Sequence, residues 1–171
     1  MTALKRQDAT GTEAILAPQA AQHSRIADLI AEHSALEGPM LPILHAVQAE
    51  YGHVPAEALP QIAEALNISR AEAQGVMSFY HDFRDHPAGR HVLKICRAEA
   101  CQAMGSEALA AAAKARLGVD WHGTTPNGAL TLEPVFCLGL CACAPAAMLD
   151  GQVIGRVDAA RLDEIATEAG A

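Results

Sequence analysis

The stretch "HVLKICRAEACQAMGSEALAAAAKARLG", residues 91–118, decides the fold. Its opening "HVLKI" alternates as a half-buried strand does, and an alanine-rich helix is expected from Met104 to Gly118. Ser106 is the expected N-cap of that helix, and Gly118 takes its C′ position. Two cysteines, Cys96 and Cys101, lie between strand and helix. Further on, "TTPNG" (124–128) reads as a turn and "ALTLEPV" (129–135) alternates again. "QVIGRV" (152–157) is another expected strand, and "DAARLDEIATEA" closes as a helix capped by Asp158. The order β-α-β-β-α calls for one sheet with helices packed on it.

Upstream the period changes to that of helices. Ile26, Leu29 and Ile30 form an apolar row that His33 and Leu36 continue, and Gly38 and Pro39 stop it. A second helix fits "PILHAVQAEYG", with Leu41, Leu44 and Val47 as its stripe and Gly52 as its stop. Pro55 can open a third, striped by Leu59, Ile62 and Leu66 and ended by Asn67. "SRAE" (69–72) is a capping box for a short fourth helix that runs to Phe79 or Tyr80. The chain thus divides into a loose tail (1–22), a helical domain (23–80), a polar linker (81–90) and an α/β domain (91–171). The helical domain alone buries little surface and is expected to lean on another body.

Of the 171 residues 51% are hydrophobic, enough for a real core, while the 4% that are aromatic offer little for stacking on bases. A net charge of −8 argues against a polyanionic partner, so no nucleic acid is expected. "MTALKRQDATGTEAILAPQAAQ" lacks the apolar core of a secretion signal. The longest uncharged run, Pro134–Leu149, is too short and too rich in loop formers for a membrane span. A cytoplasmic location without membrane insertion is the expectation, and five cysteines there point to metal before disulfides.

Four of those cysteines fall in two pairs, C-x4-C at Cys96 and Cys101 and C-x3-C at Cys137 and Cys141, each pair just past an expected strand. Strand ends of one sheet can bring both pairs to one edge. Four thiolates hold either zinc or an iron–sulfur cluster. Zinc ribbons favour the tighter C-x2-C knuckle, whereas wider loops suit a diiron core. Gly139 and Ala142 allow backbone N–H groups close to the sulfurs, and Lys94 or Arg97 would favour the reduced, more negative form. Cys143, set among leucine, alanine and proline, reads as a small buried hydrophobe, with exchange for Cys141 as the lesser reading. His81, His86 and His91 recur every five residues, which matches no regular element, and no histidine lies in either cysteine loop.

"CRAEAC" (96–101), "GTTPNGALTLEPVFCLGLC" (123–141) and the "AP" after it resemble the thioredoxin-like [2Fe–2S] ferredoxins, the family of the 24-kDa-type subunit of respiratory complex I. "GPMLPILHAVQAEYGHVPAEALPQIAEALNISRAEAQGVMSFYHDF" (38–83) looks like the helical region that precedes that domain in the family. The resemblance implies an α+β chain: a small helical bundle, then a thioredoxin-like α/β domain with a four-stranded mixed sheet. It implies that Cys96, Cys101, Cys137 and Cys141 bind one [2Fe–2S] cluster. It also implies docking on a larger subunit that binds FMN and NAD, with a further iron–sulfur or molybdenum-containing subunit in the complex. Within the family the short acidic chain is most similar to the gamma subunit of soluble NAD-dependent formate dehydrogenases. The complex I subunit and the diaphorase part of bidirectional hydrogenases are close alternatives. Leu140, where a small residue is usual, and the extra Cys143 are its departures.

The function expected is electron transfer without bond chemistry, so no catalytic residue is assigned. A structural zinc module is the second reading. A thiol-redox enzyme comes third, because its exchange pair would be a C-x-x-C at a helix start.

Overall fold

The computed structural model describes residues 10–171, with side chains described from residue 21. The chain divides between Pro87 and Ala88 into two compact units. The first is all helical, the second an α/β unit, so the chain is α+β as expected.

In the first unit, α1 (Thr10–His33), α2 (Met40–Tyr51), α3 (Ala58–Ala65) and α4 (Arg70–Phe79) follow one another. The start of α1 lies well before the Ser24 read from the apolar row; residues 1–9 of the expected tail lie outside the described residues. Leu36 falls beyond its end and is exposed, so the row stops at His33. Ile26, Leu29, Ile43, Leu44, Val47 and Ile62 form the core. Gly52 ends α2 with a left-handed φ of 74°, which glycine adopts at no steric cost. Pro55 precedes α3 rather than opening it, since the helix begins at Ala58. The capping box is complete: the Glu72 N–H donates to Ser69 Oγ at 3.1 Å, and the Ser69 N–H donates to the Glu72 carboxylate at 2.8 Å.

The segment read as a linker takes part in both units. Phe83 is buried in the helical core. Gln48 clasps it on either side of Phe83, donating to the Asp82 carbonyl at 2.7 Å and accepting from the Arg84 N–H at 2.8 Å. Its other end joins the sheet, where the Arg90 N–H donates to the Gly128 carbonyl at 3.0 Å.

In the second unit β1 (His91–Cys96) pairs in parallel with β2 (Leu130–Val135), and Cys96 stands opposite Val135. β3 (Ala147–Leu149) and β4 (Gln152–Ile154) add antiparallel, giving a mixed sheet in the order β2-β1-β3-β4. β3 was not foreseen: three residues inside the apolar cysteine-rich run carry no visible alternation. β4 stops at Ile154 because Arg156 turns left-handed, at φ 53°. The helix expected from Met104 to Gly118 is α6 (Ser106–Leu117), and a short helix that was not foreseen, α5 (Glu99–Ala103), precedes it. Gly105, at φ 94°, breaks them apart and takes the N-cap position assigned to Ser106, which is the first helical residue. α6 connects the two parallel strands as a crossover must. It packs Leu109, Ala113 and Leu117 on Leu93, Ile95, Leu130 and Leu132, together with Leu162 and Ile165 of α7 (Ala159–Glu168). Asp158 caps α7 as expected, accepting from the Arg161 N–H at 2.8 Å.

Candidate metal centre

Parallel pairing places the carboxyl ends of β1 and β2 side by side, and both cysteine pairs issue from that end. Cys96 is the last residue of β1; its N–H donates to the Ala146 carbonyl at 2.9 Å. Cys101 lies in α5, whose short turn folds it back under the strand end. Both are 2% exposed and pack with Ala146 inside a wall that includes Val135, Leu138 and Leu140. This gives Leu140, the unusual residue of the motif, a packing role against the buried pair.

Cys137 and Cys141 lie on the outer side, and both are exposed. Cys137 has a φ of 98°, a conformation a side-chain-bearing residue adopts only where its surroundings impose it. Cys141 opens a single 3-10 turn that ends at Cys143. The Cys137 and Cys141 sulfurs are 3.9 Å apart.

The sulfurs act on one another. Burial disfavours the Cys96 thiolate, but the Ala98 N–H, the Cys101 thiol and the N–H groups of Leu138 and Cys137 outweigh it and hold the thiol below its ordinary value. Burial pushes Cys101 up, and its neighbour Cys96 adds to the effect; the Ala146 N–H opposes, and charge on Cys96 and Cys141 raises it again. Cys141 is raised first by its bond with Cys137, then by charge on Cys137 and Cys96. All four sequence-predicted thiols therefore share one electrostatic neighbourhood at one end of the sheet. Four like-charged thiolates there would repel, and a bound cation is the group that relieves them.

The donors differ from those expected. Ala98, Leu138, Cys137 and Ala146 supply the N–H groups that reach Cys96 and Cys101. Ala146 follows the second pair by five residues, and only the register of β3 beside β1 reveals it. The two cations are committed elsewhere. Lys94 lies 3.7 Å from the Glu133 carboxylate, and Arg97 donates to Glu107 at 2.7 Å while its guanidinium stands 5.5 Å from the Trp121 ring. Each is countered by a carboxylate, which weakens the role assigned to it from sequence.

Cys143 closes the 3-10 turn that Cys141 opens. It is half-buried against Gly155, where an added Cβ would stand 2.7 Å from the Cys143 Cβ. The Arg156 N–H donates to the Cys143 carbonyl at 2.6 Å and the Val157 N–H to the Pro145 carbonyl at 2.9 Å, so the outer loop is tied to the segment that follows β4. The three histidines scatter: His86 pairs with Asp85 at 2.5 Å, and His91 with Asp150 at 2.6 Å.

An all-sulfur donor set arranged as two pairs from two loops fits a diiron core, each pair serving one iron. Among the described residues no three His, Cys, Asp or Glu side chains gather closely enough to hold a single ion. No helix among them is long and apolar enough to cross a membrane.

Comparison with known proteins agrees with this donor chemistry. The family model described as thioredoxin-like [2Fe–2S] ferredoxin matches residues 26–169. The chain is 38% identical over 126 residues to an NADH-quinone oxidoreductase subunit of Rhizobium meliloti, covering 74% of this chain and 75% of that protein. It is 31% identical to the NADP-reducing hydrogenase subunit HndA of Solidesulfovibrio fructosivorans, covering 77% of each. Among solved structures it resembles an NAD+-reducing [NiFe]-hydrogenase in the air-oxidized state, with a TM-score of 0.62 and 27% identity over 74% of this chain and 22% of that one.

Proposed function

We propose, from the premise that this chain belongs to the thioredoxin-like [2Fe–2S] ferredoxin family, that it is a one-electron carrier subunit whose cluster is held by Cys96, Cys101, Cys137 and Cys141. The observation that carries the ligand set is the meeting of the buried Cys96–Cys101 pair with the outer pair, whose sulfurs lie 3.9 Å apart, at the shared end of β1 and β2. A [2Fe–2S] centre bound there supplies reversible one-electron storage. The chain's own part is to hold two thiolates in an apolar wall, to present two at the surface, and to aim four N–H groups at the inner pair. Those N–H groups stabilise negative charge on sulfur and so favour the reduced form.

The partner is a larger subunit that binds FMN and NAD, in an NADH-quinone oxidoreductase or NAD-reducing hydrogenase type of complex located in the cytoplasm. Its similarity to NADH-quinone oxidoreductase and hydrogenase subunits supports this reading of the complex. The helical unit is read as a docking region for that partner. The finer assignment, an NAD-dependent formate dehydrogenase with a molybdenum-containing subunit, rests on the sequence resemblance.

Oxygen-free purification of the full chain tests the cluster: iron and acid-labile sulfide in equal amounts are expected, with a reduced-state electron paramagnetic resonance signal. Zinc alone would sink the reading in favour of the structural module. Purification of the native complex tests the partner: a molybdenum-containing subunit beside the flavin subunit is expected, whereas quinone-oxidoreductase membrane subunits or a [NiFe] subunit would replace the formate assignment.

A further inference from the structure

Among the described residues one buried side-chain polar atom lacks any hydrogen-bond partner: Ser106 Oγ. Ser106 is 0% exposed. An unpaired buried hydroxyl is rare in a native fold and calls for a partner. Three observations place Ser106 at the cysteine end of the sheet. α6 is the crossover between parallel strands, so its first turn stands where β1 ends at Cys96 and β2 ends at Val135. Arg97, the residue after Cys96, bonds Glu107, the residue after Ser106, at 2.7 Å, which fastens the start of α6 to the first cysteine loop. The chain also folds tightly between Cys101 and Ser106, with the Met104 N–H on the Cys101 carbonyl at 3.2 Å and the Gly105 N–H on the Gln102 carbonyl at 2.9 Å.

The helix start is itself short of acceptors. The N-cap is Gly105, which offers no side-chain cap, so the free N–H groups of the first turn lack the usual oxygen. A twelve-residue helix whose uncapped, positive end carries an unpartnered buried hydroxyl is set to receive negative charge. Ser106 heads the inward row of Leu109, Ala110, Ala113 and Leu117, so its hydroxyl faces the interior and not water.

We propose that the Ser106 hydroxyl donates a hydrogen bond to a sulfur of the [2Fe–2S] centre on its buried, Cys101 side, and raises the reduction potential by stabilising the added electron. This rests on the ligand reading above and names a positioning residue that the cysteine motif does not contain. A donor to a cluster sulfur stabilises the more negative, reduced form, so its removal lowers the potential.

The test is Ser106→Ala in the full chain, with the midpoint potential measured by redox titration of the visible or resonance signal. Unchanged iron and sulfide content and a more negative midpoint are expected, and Ser106→Thr, which keeps the hydroxyl, should restore the wild-type value. An unchanged midpoint in Ser106→Ala, or an equal shift in the Ala and Thr variants, overturns the proposal. Should Ser106→Ala fail to load iron, Thr against Val at this position decides, because the two match in shape: a more negative midpoint or lost loading in Val alone supports the hydrogen bond. Equal midpoints, or loss in both, make Ser106 a packing residue only. Wild-type protein without iron would instead refute the ligand reading, so the two failures are distinct.

Discussion

Replacing Gly155 by alanine should destabilise the outer cysteine loop. The new Cβ would stand 2.7 Å from the Cys143 Cβ and 3.0 Å from the Cys143 carbonyl oxygen. Carbon atoms rest at about 3.5–4.0 Å, so roughly 1 Å must be absorbed. Neither segment can yield freely, since the Arg156 N–H holds the Cys143 carbonyl at 2.6 Å and the Val157 N–H holds that of Pro145 at 2.9 Å. Overpacking of this kind costs about 1–3 kcal/mol. The loss of glycine's freedom in the unfolded chain returns about 0.4–1 kcal/mol. The net loss, centred on about 1.3 kcal/mol within a range of roughly 0–2.6 kcal/mol, falls on the unit that carries Cys141, two residues from the collision. For a unit of this size each kcal/mol moves the melting temperature by about 4–8 °C. Thermal bleaching of the visible chromophore, followed beside far-ultraviolet circular dichroism, should show the centre lost several degrees earlier than in wild type. An unchanged bleaching temperature with full iron content would mean that the loop is free to shift, and the account of its anchoring would be wrong.

Cys96→Ser or Cys137→Ser should lose or damage the cluster, whereas Cys143→Ser should keep the reduced-state resonance signal; a signal lost in the Cys143 variant would overturn the ligand set. Gly75 lies inside α4 with nothing within 4 Å of an added Cβ, so Gly75→Ala should stabilise the helical unit by about 0.5–1 kcal/mol in urea titration. The Ser69 N–H and hydroxyl hold the Glu72 carboxyl below its ordinary value of 4.5. A depressed folded value means that the stabilisation is present above the unfolded pKa and is lost as pH falls through the folded one. Acid titration of helicity should therefore show a component that Glu72→Gln abolishes, and identical profiles would rule out the capping box as its source.

The sites legible in the sequence are those where one local rule acts alone. The Ser69–Glu72 box, the Gly52 and Gly118 stops and the Asp158 cap depend on neighbours within four residues, and each stands where the pattern put it. The four thiols were legible because strand ends and cysteine spacing coincide. What eluded sequence reasoning depends on distant pairing. β3 exists because Ala147, Met148 and Leu149 find partners on β1, not because of any alternation of their own. α5, five residues long, is too short for a helical period to show in the sequence. Apart from Cys137, the N–H donors to Cys96 and Cys101 belong to Ala98, Leu138 and Ala146, whose side chains carry no polar chemistry to announce them.

With the four thiols as ligands, as proposed above, the uneven burial of the two pairs would give the centre a front and a back. Cys96 and Cys101 are closed off at 2% exposure, while Cys137 and Cys141 face water. A chelator or peroxide diffusing up from solvent meets the 137–141 loop first, and an iron donor seating the metal has the same doorway. Electron tunnelling falls off steeply with distance, so for a centre held this way the front would be the shorter gap to a redox neighbour, and a surface closing over that loop would both wire the centre and shield it.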